Sequence, residues 1–305
     1  MELRHLRHVA AVIELGNVSK AAVMLAISQP ALTRSIQLLE EMLGAPLIER
    51  LPRGVVPTPA GEALYRHAKL ILSETKRARE SVTAIKIGVR GNLRIGIASM
   101  FAERIIDRAI VDFAAKHERV GIVVTEGYFE DLLPWLQEGK LDMVFCNLPG
   151  IAVPDGLLVE PVLDVRAVMV SNTAHPLARK ATVTRAELSE ARWVTVNQHH
   201  MKEYLDHFFA VQGLHLQRPL IQTNSLPLIR SLLALDTFVS MLPEVLIEAD
   251  LKARKLKRLK IPGGEIRRQA GIIRRAKSAA SPADEASLKN FILILGNICA
   301  EEGKP

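Results

Sequence analysis

The chain has 305 residues and a net charge of +7, and its length and composition predict two domains. No uninterrupted apolar run approaches the ~20 residues of a membrane helix. Charged residues and histidines interrupt the stretch from Leu3 to Leu15, so no secretory signal is expected. Only two cysteines are present, which suits a reducing cytosol, and we therefore expect a cytoplasmic protein without membrane association.

Two helices joined by a tight turn are predicted between residues 18 and 44. Ala21 and Ala22 allow close packing of the first helix, while Ser28 can cap the second helix and Pro30 lies in its first turn. Spacings of three and four predict a mostly buried face formed by Ala31, Leu32, Ser35, Leu38, Leu39 and Met42. This arrangement is typical of a helix-turn-helix, whose second helix enters the DNA major groove.

The other face of the second helix carries side chains that can contact DNA. Glutamine pairs with adenine, arginine pairs with guanine, and threonine contacts a thymine methyl group or a phosphate. An ordinary amphipathic helix with its polar face in water is the alternative. The residues predicted to contact DNA on this helix are Ser28, Gln29, Pro30, Thr33, Arg34 and Gln37.

Residues 50–57 resemble a β-wing, since Gly54 permits a tight turn and prolines bracket it. Arg50 and Arg53 would reach phosphates or a minor groove, which orients a protein on DNA without reading its sequence. For Arg53 a solvated loop is the alternative. Residues 1–90 hold 13 lysines and arginines against 8 acidic residues, a charge balance consistent with DNA binding.

A long helix is predicted to begin at Thr58 and Pro59, a cap followed by a first-position proline, and to end near Gly88. Its apolar and small residues recur every 3.5 positions, which is typical of a seam between two helices. These residues are Leu64, Ala68, Ile71, Thr75, Ala78, Val82 and Ile85. We expect a homodimer through residues 59–88, and a single helix packed on its own domain is the alternative.

Strands and helices alternate after a hinge predicted at residues 88–91, which indicates an α/β domain with parallel strands. The predicted strands are 93–98, 121–126, 141–146, 165–171, 193–196, 220–223, 238–242, 256–261 and 270–274. The predicted helices are 103–116, 131–138, 202–211, 226–235, 244–250 and 282–299.

A small molecule is expected beyond the carboxyl ends of these strands, where open α/β sheets bind ligands. Ser99 follows the first strand, so its hydroxyl and the amides of the next helix can hold an anion. A capping or loop role is the alternative for each residue chosen this way. The predicted effector-binding residues are Ser99, Met100, Tyr128, Cys146, Asn147, Thr195, Asn197 and Asn224.

The N-terminal region resembles the LysR-type transcriptional regulators over residues 1–58. The matching residues are Leu3-Arg4-His5-Leu6, Ala21-Ala22, Ser28-Gln29-Pro30-Ala31-Leu32, Leu39-Glu40, Leu43-Gly44 and Thr58-x-Ala60-Gly61. Thinner similarity to the effector domains of the family is found at Asn92-Leu93-Arg94-Ile95-Gly96, Gly139-x-Leu141-Asp142, His175-Pro176-Leu177 and Leu242-Pro243.

This resemblance implies three parts: a winged helix-turn-helix domain at 1–58, a linker helix at 59–88 and an α/β effector domain at 91–305. The effector domain would resemble a periplasmic binding protein, with lobe one at 92–161 plus 266–305 and lobe two at 162–265. The resemblance also implies a transcription regulator that binds double-stranded promoter DNA as a dimer or tetramer. Its effector would be a small carboxylate or aromatic acid, with RNA polymerase as a candidate further partner.

The alternative function is a small-molecule binding protein or an enzyme that uses its N-terminal helices only to dimerise. The sequence has no Gly-rich phosphate loop, nucleophile elbow or metalloprotease spacing, so we expect no enzymatic activity and no cofactor. Cys146 and Cys299 invite a redox interpretation, but buried structural thiols are expected. His199, His200 and His207 invite a zinc site, but adjacent histidines point apart on a helix and no metal is expected.

A second basic cluster lies near the C-terminal end of the chain. It consists of Lys252, Arg254, Lys255, Lys257, Arg258, Lys260, Arg267, Arg268, Arg274, Arg275 and Lys277. Two interpretations remain open from the sequence: the cluster contacts DNA wrapped past the N-terminal domain, or it is a solvated surface whose charge protects a strand edge.

Overall fold

The computed structural model describes residues 1–86, 88, 91–148, 153–197, 199–216, 221–276 and 281–302, without the side chains of residues 199–202. Within these ranges, three short helices and a two-stranded wing precede one long helix and a mixed sheet covered by further helices. No helix in the described part of the chain combines the length and apolar character needed to cross a membrane.

The N-terminal domain is a small helical bundle. Its helices are α1 (Leu3–Leu15), α2 (Val18–Met24) and α3 (Gln29–Leu43). The side chain of Asn17 accepts the N–H of Lys20 to cap α2, and the Ser28 hydroxyl oxygen accepts the N–H of Ala31 at 3.3 Å to cap α3. The predicted helix-turn-helix and its serine cap are therefore confirmed.

The buried face of α3 is narrower than predicted. The buried residues of this helix are Leu32, Ile36 and Leu39. Ala31, Leu38 and Met42 are exposed in the single chain, so their predicted burial is wrong. The reason is that α1, α2 and the wing cover only one stripe of the helix, and Ile36 lies at the centre of that stripe.

The wing consists of two antiparallel strands, β1 (Ile48–Leu51) and β2 (Gly54–Pro57). The N–H of Val55 donates to the carbonyl oxygen of Gly16 at 2.9 Å, which fixes the wing to the end of α1. A Cβ atom at Gly54 would lie 2.4 Å from that same oxygen, so only glycine fits where the strand begins. The predicted wing is confirmed.

The long helix α4 (Pro59–Lys86) begins at the predicted cap. The Thr58 hydroxyl accepts the N–H of Gly61 at 3.0 Å and donates to the carbonyl oxygen of Pro46 at 2.6 Å. Further along α4, the predicted seam residues Val82 and Ile85 are 59% and 73% exposed. The apolar stripe of the distal half of α4 is therefore uncovered in the single chain.

The C-terminal domain is built on strands in the order β4-β3-β5-β11-β6-β9-β7-β8, with β10 paired to β6. The strands are β3 (Gly91–Ala98), β4 (Val120–Gly127), β5 (Met143–Asn147), β6 (Leu157–Asn172), β7 (Arg192–Thr195), β8 (Ile221–Gln222), β9 (Phe238–Pro243), β10 (Leu256–Arg258) and β11 (Glu265–Arg275). The helices are α5 (Asp107–Lys116), α6 (Phe129–Gln137), α7 (Arg185–Ser189), α8 (His199–Ala210), α9 (Leu226–Leu233), α10 (Glu244–Lys252) and α11 (Pro282–Glu302).

Two long strands, β6 and β11, cross the whole domain as an antiparallel pair. Strands β3, β4 and β5 lie at one end of this pair, whereas β7, β8 and β9 lie at the other end. Both crossing strands begin earlier than the sequence predicts, because charged residues such as Glu160, Asp164 and Arg267 interrupt their apolar pattern. The predicted hinge at 88–91 and strand at 220–223 include residues 89, 90 and 220, which lie outside the described residues.

The helix predicted at 103–116 begins later than expected. A single 3₁₀ turn covers Ser99–Phe101, the backbone is kinked within Ala102–Ile106, and the regular helix starts only with α5. Glu103 has extended backbone angles and Arg104 has a left-handed φ of +70°. Both side chains form ion pairs with other elements, and these contacts accompany the break in the helix.

Candidate DNA interface and effector cleft

The N-terminal turn of α3 is an accessible surface. Ser28, Gln29, Pro30, Arg34 and Gln37 are exposed, and Thr33 is half-buried beside them. The hydroxyl of Ser19 on α2 donates to the side-chain oxygen of Gln29 on α3 at 3.1 Å, which links these two helices. Because the free N–H groups and the positive end of the helix dipole lie at this turn, it favours contact with phosphate as well as base edges.

The wing presents two further cations close in sequence. Arg50 lies on β1 and Arg53 lies in the turn before β2, and both side chains are exposed. The hydrogen bond from the wing to α1 holds this loop against the helical bundle. The six predicted α3 residues and the two wing arginines therefore all belong to one small domain.

Lys69 on α4 connects the N-terminal domain to the C-terminal domain. Its ammonium group contacts Glu14 on α1 and lies 3.7 Å from Glu138, which follows α6. The hydroxyl of Tyr65 also donates to Glu14, at 3.1 Å. Burial and the neighbouring Glu14 carboxylate raise the pKa of the Tyr65 phenol, so the hydroxyl keeps its proton.

A buried ion pair fixes α4 to the C-terminal domain. Arg77 is 8% exposed and donates to the Asp142 carboxylate at 2.6 Å, while the backbone N–H of Arg94 donates to the other carboxylate oxygen at 2.8 Å. Burial opposes the charge of Arg77, but the adjacent Asp142 carboxylate outweighs it and raises the pKa of the guanidinium. In the sequence, Asp142 is recognisable only as part of the Gly139-x-Leu141-Asp142 motif, and no local pattern indicates its partner.

The carboxyl ends of the strands in the two halves of the sheet face each other along β6. On one side Asn147, at the end of β5, is level with Leu163, since both pair with Ala270. On the other side Pro243, at the end of β9, pairs with Ala167. Four residues of strand correspond to about 13 Å. The two sets of strand ends are therefore separated along the crossing strands, and the space between them is named the gap below.

Four predicted effector residues lie together on the β3–β5 side of this gap. Ser99 and Tyr128 follow the paired strand ends of β3 and β4, and the Asn147 amide donates to the Met100 sulfur at 3.3 Å. The Tyr128 hydroxyl and the Asn147 side-chain oxygen are buried without a hydrogen-bond partner among the described residues. Buried polar atoms normally have partners, so both are available to a ligand or to ordered water.

The remaining predicted residues differ in accessibility. Thr195 ends β7 on the opposite side of the gap, and its buried hydroxyl also lacks a partner among the described residues. Asn197 and Asn224 are exposed. Cys146 is 2% exposed and packs in the core, where burial raises the pKa of its thiol to about 12.

Ser99 does not begin a regular α-helix, which corrects one part of the prediction. Its 3₁₀ turn is followed by the distorted segment at Glu103 and Arg104, so a full set of helix amides is not aligned behind its hydroxyl. Glu103 instead pairs with Arg230 on α9 at 2.5 Å, and Arg104 pairs with Glu248 on α10 at 2.7 Å. The segment after Ser99 thus joins the two halves of the domain by ion pairs.

In the sequence, Arg268 is recognisable only as one member of a basic cluster. It lies on β11 level with Val165, between the two sets of strand ends. Burial lowers the pKa of its guanidinium, and no carboxylate of the described residues lies within ion-pairing distance. A half-buried cation without a carboxylate partner is a candidate for binding an anionic group. No signal in the sequence distinguished Arg268 from its basic neighbours, because its burial depends on the crossing of β6 and β11.

The side chains described in the structure contain no group of three histidine, cysteine, aspartate or glutamate residues that could hold a metal ion. The side chains of His199 and His200 lie outside the described residues. Both Cys146 and Cys299 are buried and free.

Comparison with known proteins agrees with this architecture. The family model for the LysR substrate binding domain matches residues 86–291, and the model for the bacterial regulatory helix-turn-helix protein of the lysR family matches residues 3–62. The chain belongs to the LysR family. It is thus a DNA-binding transcription regulator with an effector-binding domain, and residues 91–305 are named the effector domain below.

Among LysR-family relatives, the RuBisCO operon transcriptional regulator of Allochromatium vinosum is 28% identical over 96% of both chains. The HTH-type transcriptional regulator GalR of Pseudomonas putida is 26% identical over 92% of this chain and 71% of its own length. The solved structure of a full-length OxyR variant from Pseudomonas aeruginosa covers 97% of this chain and 94% of its own, with a TM-score of 0.60 and 20% identity. At that identity the likeness shows the fold alone.

Proposed function

We propose that this LysR-family regulator binds promoter DNA through the exposed N-terminal turn of α3 and the wing, and that a small carboxylate or aromatic acid in the gap between the two halves of the effector domain controls it. The observation that carries the second part is the set of buried polar atoms on Tyr128, Asn147 and Thr195, which lack partners among the described residues and come from both sides of the gap. Arg268 would supply the charge that a carboxylate requires.

The protein acts as a dimer paired through residues 59–88, and two such dimers form a tetramer in the cytoplasm. Support comes from the exposed apolar stripe of α4, since Val82 and Ile85 have no cover in the single chain. Pairing two recognition helices about one DNA turn apart allows a two-fold site to be read. RNA polymerase is the further partner that regulation of transcription would require.

The effector changes the arrangement of the two halves only if it binds one arrangement better than the other. The ion pairs Glu103–Arg230 and Arg104–Glu248 cross between the halves directly after Ser99, so a ligand at Ser99 is well placed to alter them. Lys69 and Arg77 then provide the route from the effector domain to α4 and α1.

The DNA-binding part is tested by gel shift against the DNA upstream of the protein's own gene, with excess nonspecific competitor. Gln29→Ala and Arg34→Ala are expected to relax base preference, each losing about 1–3 kcal/mol of discrimination at one base pair. Gln212→Ala, an exposed substitution in the effector domain, is the control. Promoter binding that is unchanged in both α3 variants would refute the assignment.

The effector part is tested by calorimetric titration with a panel that includes acetate, benzoate and salicylate. Ser99→Ala and Arg268→Met should weaken binding of the best carboxylate while leaving DNA binding intact. Arg268→Met keeps an unbranched apolar stem and removes the guanidinium with its charge. A carboxylate that binds both variants as tightly as the parent protein would place the effector elsewhere.

A further inference from the structure

The net charge of the chain is concentrated in one short segment of the effector domain. Residues 252–260, named the basic strip, contain six cations and no acidic residue. The rest of the chain has 34 cations against 33 anions, a net charge of +1. The effector domain outside the strip has 21 cations against 25 anions, so the strip is a strongly positive patch on an otherwise acidic domain.

The fold presents every one of these cations to solvent. The strip begins at the last residue of α10, passes through β10 and ends two residues after it. Leu256 and Leu259 are buried and fix the strip to the domain. The exposed cations are Lys252, Arg254, Lys255, Lys257, Arg258 and Lys260. Three of the six also line an open groove of about 340 Å³ that has no acidic residue in its lining.

Four of these six charges have no carboxylate partner among the described residues. Lys252 pairs with Glu248 at 2.5 Å and Arg258 pairs with Glu244, while the ammonium group of Lys257 donates to a backbone carbonyl. Among the described residues, no carboxylate lies within ion-pairing distance of the other three cations, Arg254, Lys255 and Lys260. These three are available to an external anion.

Arg254 occupies a backbone position that disfavours arginine. Its φ is +55°, and it ends α10 in a Schellman motif. In this motif the N–H of Arg254 donates to the backbone carbonyl oxygen of Leu251, and the N–H of Lys255 donates to the backbone carbonyl oxygen of Asp250. Glycine is the usual residue there, since a side chain is strained in the left-handed region. Residues with a strained backbone cluster at functional sites, and the Arg254 side chain is exposed.

We infer that the basic strip binds the phosphate backbone of DNA that flanks the site held by the N-terminal domain, an inference that rests on the proposed binding of promoter DNA. Four of the six cations are lysines, which are depleted in protein–protein interfaces but bind phosphate well as compact charges. Protection of a strand edge does not account for the strip, because β10 holds only Lys257 and Arg258 of the six.

The test compares two duplexes that contain the same specific site. The short duplex ends at the site, and the long duplex adds about two helical turns of DNA on each side. Affinity is measured by fluorescence anisotropy over a range of salt concentrations. The variant is Arg254→Gln with Lys255→Gln, and the control of equal charge is Lys116→Gln with Arg119→Gln, two exposed cations of the same domain outside the strip.

The parent protein and the control should bind the long duplex more tightly and with a steeper salt dependence than the short duplex. The strip variant removes two cations from each protomer, and a dimer places one strip over each flank. It should therefore lose about 3.6 from the slope of log K against log salt on the long duplex, because each lost phosphate contact removes about 0.9. On the short duplex it should match the parent protein. Equal binding of both duplexes by the parent protein, or equal losses in variant and control, would overturn the inference.

A second variant separates DNA contact from folding. Arg254→Gly removes one charge and also relieves the left-handed backbone strain, so it should raise the melting temperature while weakening binding to the long duplex. Misfolding cannot produce both changes. Unchanged binding to the long duplex would overturn the inference. An acidic protein surface would then be the better candidate for the partner of the basic strip. Failure of the parent protein to bind the short duplex specifically would instead refute the proposed role of α3.

Discussion

Replacing Asp142 by alanine tests the ion pair that holds α4 on the effector domain. The Asp142 side chain is 5% exposed, and its two oxygens accept hydrogen bonds from Arg77 and from the N–H of Arg94. Removing the carboxylate leaves a buried guanidinium with only the Glu74 carboxylate, 3.8 Å from its Nε, as counter-charge. Breaking a buried pair costs up to about 3–5 kcal/mol of the free energy of unfolding. Asp142→Asn keeps an acceptor but loses the charge, so about 1–2 kcal/mol is expected.

The assay is urea unfolding followed by tryptophan fluorescence. Trp135 lies near the pair, because its backbone carbonyl oxygen accepts the N–H groups of Lys140 and Leu141, the two residues before Asp142. Glu285→Ala is the matched control: it breaks an exposed i,i+4 pair with Lys289 and should cost under about 0.5 kcal/mol.

A double-mutant cycle with Arg77→Met isolates the pair from other effects. Because the double variant leaves no buried charge unpaired, it should be more stable than Asp142→Ala alone, with a coupling energy of about 2 kcal/mol or more. A cost for Asp142→Ala no larger than that of Glu285→Ala would refute the reasoning.

Three further predictions concern the backbone, a histidine and the thiols. Ala26 lies between α2 and α3 with a φ of +55°, so Ala26→Gly should stabilise the N-terminal domain by about 0.5–1 kcal/mol in thermal unfolding; a lower melting temperature would contradict this. Burial lowers the pKa of His175, whose ring nitrogen accepts the N–H of Leu177 at 3.1 Å. His175 therefore binds a proton more readily in the unfolded chain than in the folded chain. The stabilisation contributed by neutral His175 is complete above pH 6.5 and is lost as the pH falls below that value. His175→Asn keeps a capping acceptor and should flatten that pH dependence of unfolding, whereas an unchanged slope would exclude His175 as its source. Burial raises the pKa of Cys146 and Cys299 to about 12, so a thiol reagent at about pH 8 should label them only after urea is added; rapid labelling of the native protein would contradict this.

Local chemistry explains why the N-terminal domain could be predicted in detail. The Ser28 cap, the turn at Gly54 and the Thr58 cap each depend on residues close to one another in sequence. The buried face of α3 was predicted less well, since the periodicity fits a broad stripe whereas the bundle covers only part of it. Whether Leu38 or Ile36 faces inward depends on where α1 and α2 lie.

Local sequence patterns were enough to predict the order of domains, the helix-turn-helix with its polar face, the long helix and the strand ends that Ser99, Tyr128, Asn147 and Thr195 follow. These features depend on periodicity, caps and turn residues, which act over a few positions. Contacts between residues far apart in the sequence could be seen only in the folded chain. The Arg77–Asp142 pair joins residues 65 positions apart, and the burial of Arg268 arises where two strands cross. Such contacts depend on how elements pack rather than on the spacing of residues within any one element, so no local pattern specifies them.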